Sequence, residues 1–258
     1  MLSKKTFDKK KILIYGLGLS GTSCFQYLSK KNIINVFDDN NSLRNKKNKS
    51  YFLSKNKIFK TEFDFIVLSP GIDIKKCKLN NYLIKNKKKI ITELDIFYLT
   101  YPENLKITIT GTNGKSTTCQ MLFNIFKSNK LDVRLVGNIG RPPLVEKDIN
   151  TKTIFIIEAS SYQISYSKFF KTDYAAILNL SPDHLERHGN INQYAKAKLK
   201  LIFDQNKNNY SYIENNNQII NKQIHNKKIK SKLKKINYNK EIFLKKKLKI
   251  SICLIKII

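Results

Sequence analysis

Twice in this chain a short aliphatic run breaks at a cluster of glycines and gives way to a helical pattern, and no other feature constrains the fold as much. The first instance is Lys11 to Tyr15 (KILIY), then Gly16-Leu17-Gly18-Leu19-Ser20-Gly21, with a helix over Leu19 to Leu28. The second is Leu105 to Thr110 (LKITIT), then Gly111-Thr112-Asn113-Gly114-Lys115-Ser116-Thr117, with a helix over Thr117 to Ser128. A strand that ends in a glycine turn and feeds a helix is the unit from which parallel α/β sheets are wound. Ile33 to Phe37, Phe63 to Leu68, Lys89 to Thr92, Thr153 to Ile157 and Tyr174 to Leu178 supply further strands. The expected fold is α/β: a Rossmann-like N-terminal domain followed by a central, ATPase-like domain with a phosphate loop and a parallel sheet. The linker at Tyr101 to Asn104, with Pro102, marks the boundary, giving domains 1–102 and 103–258, the second incomplete or diverged after about residue 206.

Composition bears on what such a fold can bind. With 258 residues, 41% of them hydrophobic, and 15 Phe and 13 Tyr, the chain can bury real cores. The formal net charge of +30 raises the question of a nucleic-acid partner. The excess is almost all Lys, mixed with Asn and Ile along the chain, while Arg stands only at positions 44, 134, 141 and 187. Base readers favour the planar fork of Arg, so a drift of composition towards Lys, Asn and Ile explains the charge without such a partner. Cys24, Cys77, Cys119 and Cys253 show no paired spacing, which speaks against a zinc site or a disulfide framework. No segment approaches the ~20 apolar residues of a membrane span and no apolar stretch follows the charged N-terminus, so a cytoplasmic protein without a membrane partner is expected. After about Asn206 the chain becomes a Lys and Asn mixture that ends in an apolar run, Ile250 to Ile258. That stretch reads either as a continuation of the second domain or as a basic tail.

The motifs lie where strands end. In the Gly-x-Gly-x-x-Gly turn, glycine lets backbone approach a diphosphate, the helix N-terminus supplies donors, and Asp38 after the next strand can take ribose hydroxyls. Taken alone that pattern also fits NAD, or a turn with no ligand. Ser69-Pro70-Gly71-Ile72 places small residues at a later strand end. The second turn is sharper: its amides can wrap phosphates, Lys115 can meet the outer ones, and Ser116 can ligate magnesium. Ile109 occupies the place of the first glycine in the generic phosphate loop, so this is a shorter form. Glu158 closes the strand TIFII, where a carboxylate either holds nucleotide-bound magnesium or caps a helix. His184, in Asn179-Leu180-Ser181-Pro182-Asp183-His184, is a metal ligand or a structural histidine. On spacing alone, the lysines of Tyr194-Ala195-Lys196-Ala197-Lys198 read as the solvated face of an amphipathic helix.

Taken together, GLGLSG, SPGI, GTNGKST, GNIG (Gly137 to Gly140), EASSYQ, NLSPDHLERH and YAKAK occur in an order that resembles the Mur ligase superfamily, and within it the D-glutamate-adding members. The resemblance covers about residues 10 to 205. It implies an N-terminal domain for the UDP part of UDP-N-acetylmuramoyl-L-alanine, with Gly18, Ser20, Asp38, Ser69, Pro70 and Gly71 lining the site, and a central ATP-binding domain using residues 111 to 117. Asn138 would contact the muramoyl part, and Lys115 would stabilise the γ-phosphate. Ser116 and Glu158 would hold one Mg2+, and His184 with a carbamylated Lys198 a second. The implied activity is ATP-dependent ligation of D-glutamate through an acyl phosphate, by a monomer that lacks the third, amino-acid-binding domain of the family. A nucleotide-binding fragment without full activity and a basic nucleic-acid-binding protein are the alternatives.

Overall fold

The computed structural model describes residues 4–43 and 49–237; the apolar run at 250–258, with Cys253, and Arg44 lie outside them. Within them the chain divides into two compact units. Unit one runs up to Pro102 and takes back two short segments, Pro142–Lys147 and Tyr166–Phe170. Unit two holds Glu103–Arg141, Asp148–Ser165 and the chain from Lys171 onward.

Unit one is built on strands β1 (Lys11–Tyr15), β2 (Ile33–Phe37), β3 (Phe65–Leu68) and β4 (Ile90–Ile91), all parallel in the order β2-β1-β3-β4. The central strand is apolar at four successive positions, Ile12 to Tyr15, all buried. A strand covered on both faces needs no polar alternation, which explains the unbroken run. Helices α1 (Leu19–Leu28), α2 (Lys55–Phe59), α3 (Asn80–Lys85) and α4 (Glu93–Thr100) complete the unit. Helix α4 opens with a capping box: Asp95 Oδ2 accepts the Thr92 amide at 2.9 Å, and the Thr92 hydroxyl oxygen accepts the Asp95 amide at 3.4 Å. The other oxygen of Asp95 accepts three consecutive amides, from Lys168, Phe169 and Phe170, at 2.7, 2.7 and 3.0 Å. That one buried carboxylate therefore ties the segment Tyr166–Phe170 into unit one.

Unit two is a six-stranded parallel sheet in the order β10-β9-β8-β5-β7-β6. Its strands are β5 (Lys106–Thr110), β6 (Val133–Gly137), β7 (Ile154–Glu158), β8 (Tyr174–Ile177), β9 (Tyr210–Glu214) and β10 (Lys232–Ile236). Helices α5 (Lys115–Ser128), α6 (Ser161–Ser165), α7 (Leu185–His188), α8 (Ile191–Phe203) and α9 (Gln218–Ile224) connect and cover them. Leu122 and Phe126 of α5 pack with Ile107, Ile109, Val133, Ile154 and Ile156 in one core. The segment after residue 206 joins this sheet as β9, α9 and β10. Strand β10, KLKKI, is an edge strand with its lysines out, which is why its sequence carries no strand signal. Strand β6 was hidden for a similar reason: Arg134 interrupts its apolar pattern. Among the described residues no helix is long and apolar enough to cross a membrane.

Candidate active site

In unit one the register Tyr15↔Leu68 brings the ends of β1 and β3 level, so the turns that follow them meet. A Cβ on Gly21 would fall 1.8 Å from the Gly16 carbonyl oxygen, so only glycine lets α1 start this close to β1. A Cβ on Gly18 or Gly71 would meet nothing within 4 Å, so the space beside those two is open to a ligand rather than filled by protein. The Ser69 hydroxyl donates to the Gly16 carbonyl at 2.7 Å and clips the two turns together. Asp38 is buried, and its two oxygens accept the amides of Leu17 at 2.6 Å and Asn40 at 2.8 Å. Its observed work is to shape the glycine turn, a role that strand-end position alone does not reveal. Ser20 is half-buried at the start of α1.

In unit two the phosphate loop leaves the carboxyl end of β5, between β7 on one side and β8 on the other, the usual place for a ligand in such sheets. Gly114 caps α5 at φ +82°, and Ser116 and Thr117 are exposed on its first turn. Lys115 Nζ donates to the carbonyls of Gly111 at 3.0 Å and Thr112 at 2.8 Å, folded back over the loop it would serve. The loop is held from outside by the segment after β8. Asn179 accepts the Thr112 amide on its carbonyl at 3.0 Å and the Asn113 amide on its side chain at 2.9 Å. The Ser181 amide donates to the Thr112 hydroxyl at 3.0 Å. Asn179 and Ser181 lie inside the motif NLSPDH, yet only the fold shows that they fix the loop.

Register pairs Ile109 with Glu158, placing this carboxylate beside the loop. Glu158 is buried; its Oε1 accepts from Asn138 Nδ2 at 2.9 Å, and its Oε2 has no hydrogen-bond partner. A buried carboxylate oxygen without a donor is costly unless a cation faces it, so the site fits a divalent ion. Asn138 reaches it because Gly137 brings the backbones together: a Cβ there would lie 2.3 Å from the Glu158 carbonyl oxygen. Lys198, on α8, is buried, not solvated. Its Nζ donates to the Gly111 carbonyl at 3.0 Å and the Thr110 hydroxyl at 3.2 Å and lies over the Tyr194 ring. Burial, reinforced by the Lys115 charge, lowers its pKa to about 7. His184 sits at φ +52° ahead of α7, half-exposed, with Nε2 3.4 Å from Asp183 and its ring against Tyr162. His188, which the sequence did not single out, stacks on Tyr162 and hydrogen-bonds the Ser161 hydroxyl at 3.0 Å. Among the described residues no three His, Cys, Asp or Glu side chains converge as a metal site by themselves. Any ion at Glu158 must take its other ligands from hydroxyls, a modified lysine, water or phosphate.

A glycine turn on one parallel sheet and a phosphate-loop motif with a strand-end carboxylate on a second define a two-unit α/β protein. Residues 109–252 match the Mur ligase middle domain and residues 10–92 the Mur ligase MurD-like N-terminal domain. The chain belongs to the Mur ligase family. It is 36% identical over 225 residues to UDP-N-acetylmuramoylalanine--D-glutamate ligase of Rickettsia prowazekii, a match covering 84% of this chain and 49% of that one. It is 31% identical over 228 residues to the enzyme of the same name from Natranaerobius thermophilus, covering 80% and 48%. The chain thus spans about half the length of the curated relatives it matches. Among solved structures it resembles UDP-N-acetylmuramate:L-alanyl-gamma-D-glutamyl-meso-diaminopimelate ligase from Neisseria meningitides in fold, with a TM-score of 0.56 at 13% identity, covering 88% and 78%.

Proposed function

We propose that this chain carries the UDP-substrate and ATP sites of a ligase that joins D-glutamate to UDP-N-acetylmuramoyl-L-alanine in cytoplasmic peptidoglycan precursor synthesis, acting as a monomer. The observation that carries the reading is the buried, donor-free oxygen of Glu158 beside the GTNGKST loop, in a chain whose relatives bear that activity as their name. Gly18, Ser20 and Ser69 to Gly71 line the uridine diphosphate site, with Asp38 shaping it. Asn138, engaged to Glu158 through one N–H, keeps its other N–H and its Oδ1 for the muramoyl part.

A carboxylate is a poor electrophile, so the alanyl carboxylate first attacks the γ-phosphorus of ATP, ADP leaves, and the amine of D-glutamate displaces phosphate from the acyl phosphate. Loop amides from Gly114 to Ser116 would cradle the phosphates. Lys115, released from the Gly111 and Thr112 carbonyls, would meet the γ-phosphate as charge moves onto the leaving oxygen. Ser116 and Glu158 would hold one magnesium ion, and His184 with a carbamylated Lys198 a second. Bound there, magnesium supplies charge neutralisation between two anionic reactants. Carbamylation suits a buried amine, since it replaces an ammonium that would repel a cation with an oxygen ligand.

Calorimetric titration tests the reading in unit one. UDP-N-acetylmuramoyl-L-alanine should bind more tightly than NAD. Tighter binding of NAD would show that the glycine turn serves a dinucleotide instead.

A further inference from the structure

The ladder between β5 and β8 does not stop where the strands end. The Leu178 amide donates to the Thr110 carbonyl at 2.9 Å, and the Thr112 amide donates back to the Asn179 carbonyl at 3.0 Å, one rung inside the phosphate loop. The loop lies this close because Gly111 has no side chain: a Cβ there would stand 3.1 Å from Leu178 Cβ and 3.3 Å from the Asn179 nitrogen. The next rung is made by a side chain. Asn179 Oδ1 accepts the Asn113 amide at 2.9 Å, and Asn179 Nδ2 donates to the Asn113 carbonyl at 3.1 Å. A carboxamide carries an acceptor and a donor side by side, so it pairs with the N–H and C=O of one residue as a neighbouring strand would.

In a trans peptide the C=O and the N–H that follows it lie in one plane and point opposite ways. Turning the Asn113 carbonyl to Asn179 therefore turns the Gly114 N–H away from Asn179. Gly114 sits at φ +82°, and behind it Lys115 and Ser116 open α5, where first-turn amides have no partner within the helix. We propose that Asn179 is a positioning residue for the phosphate loop: by pairing with both backbone groups of Asn113 it aims the Gly114 N–H outward, so that the loop is set for a nucleotide's phosphates before they arrive. The proposal rests on the reading of unit two as a nucleotide site. Thr112 has anchors of its own, since its hydroxyl accepts the Ser181 amide at 3.0 Å and donates to the Ser181 carbonyl at 3.2 Å. These hold residue 112, whereas the direction of the Gly114 N–H follows from the Asn113 carbonyl. A loop fixed in advance has little conformational freedom left to lose on binding.

ADP with magnesium is the probe, titrated by calorimetry into the full chain and its variants. Asn179→Ala removes both side-chain hydrogen bonds and should weaken ADP binding roughly tenfold to a hundredfold. Asn179→Asp keeps an acceptor for the Asn113 amide but sets a second oxygen against the Asn113 carbonyl and a negative charge beside the phosphates. It should bind ADP more weakly still than the Ala variant. Affinity of unit one for UDP-N-acetylmuramoyl-L-alanine should stay the same in both, which shows that the variants fold. A merely structural Asn179 would lower the melting temperature and leave ADP affinity unchanged, and that result in a folded Ala variant overturns the proposal. Hydrogen exchange on the natural chain decides the matter even if neither variant folds. Without nucleotide the Thr112 and Asn113 amides should already be protected, while the Gly114 amide gains protection only when ADP is added. An unprotected Asn113 amide in the nucleotide-free chain overturns the proposal alone. Absence of ADP binding to the natural chain overturns the nucleotide reading of unit two, and this proposal with it.

Discussion

At the scale of single residues, buried charge decides most of what is distinctive here. Glu93, Glu158 and Lys198 are all buried, and each is tolerated for a different reason. Glu93 stays near the edge of ionisation, Glu158 has Asn138 on one oxygen and no donor on the other, where a cation would offset its charge, and Lys198 is softened towards neutrality by burial. The Glu93 shift has a consequence for folding. Its carboxyl binds a proton more tightly in the fold, where its pKa is about 7, than unfolded, at the ordinary 4.5. Between those values the folded state holds more protons, so this group's contribution to stability falls as pH rises from about 4.5 to about 7. Glu93→Gln should therefore melt several degrees higher than the natural chain at pH 8, a gain of order 2 kcal/mol, and the difference should vanish near pH 4.5. Thermal melts at the two pH values check this. An equal or lower melting temperature at pH 8 would show that Glu93 is charged without penalty.

At the scale of elements, the two turns were legible because glycine, strand and helix signals coincide within a dozen residues. The strands β1, β2 and β5 and the helices α1 and α5 fall where the apolar runs and glycines place them. What the sequence hid were features that are polar for reasons of place: the edge strand β10, and the burial of Lys198 on α8, a helix whose lysines read by spacing as solvated. Helix α1 depends on one residue in particular. Gly21→Ala would drive a methyl group to within 1.8 Å of the Gly16 carbonyl oxygen, so α1 must shift away from β1. The expected cost is about 1–3 kcal/mol of stability, with loss of affinity for UDP-N-acetylmuramoyl-L-alanine and unchanged affinity of unit two for ADP. Titration of both ligands against the variant reads the two effects separately. Equal weakening of both would locate the damage outside the glycine turn.

At the scale of the whole molecule, the net charge of +30 acts on every anion that approaches. Both proposed ligands are anionic, so the charge should speed their arrival without contributing much to their retention. Raising salt from ~50 to ~500 mM, which shortens the screening length below about 5 Å, should lower the association rate of ADP several-fold and leave its dissociation rate nearly constant. Stopped-flow measurements separate the two rates. A dissociation rate that rises as steeply as association falls would mean that the surface lysines hold the ligand directly.

The sequence by itself determined the chemistry of the turns and the class of fold. Glycine at fixed offsets after an aliphatic run leaves the backbone few alternatives, and order along the chain preserves the pattern of a family. Only the tertiary structure decided what each polar side chain does. Lys198 is buried because α8 lays it on the Gly111 carbonyl, 87 residues away in sequence. Asn138 holds Glu158 because β6 and β7 are neighbours in the sheet. Glu93 faces Ser23 across 70 residues. Burial and hydrogen-bond partners arise from contacts distant along the chain, so local pattern carries no record of them.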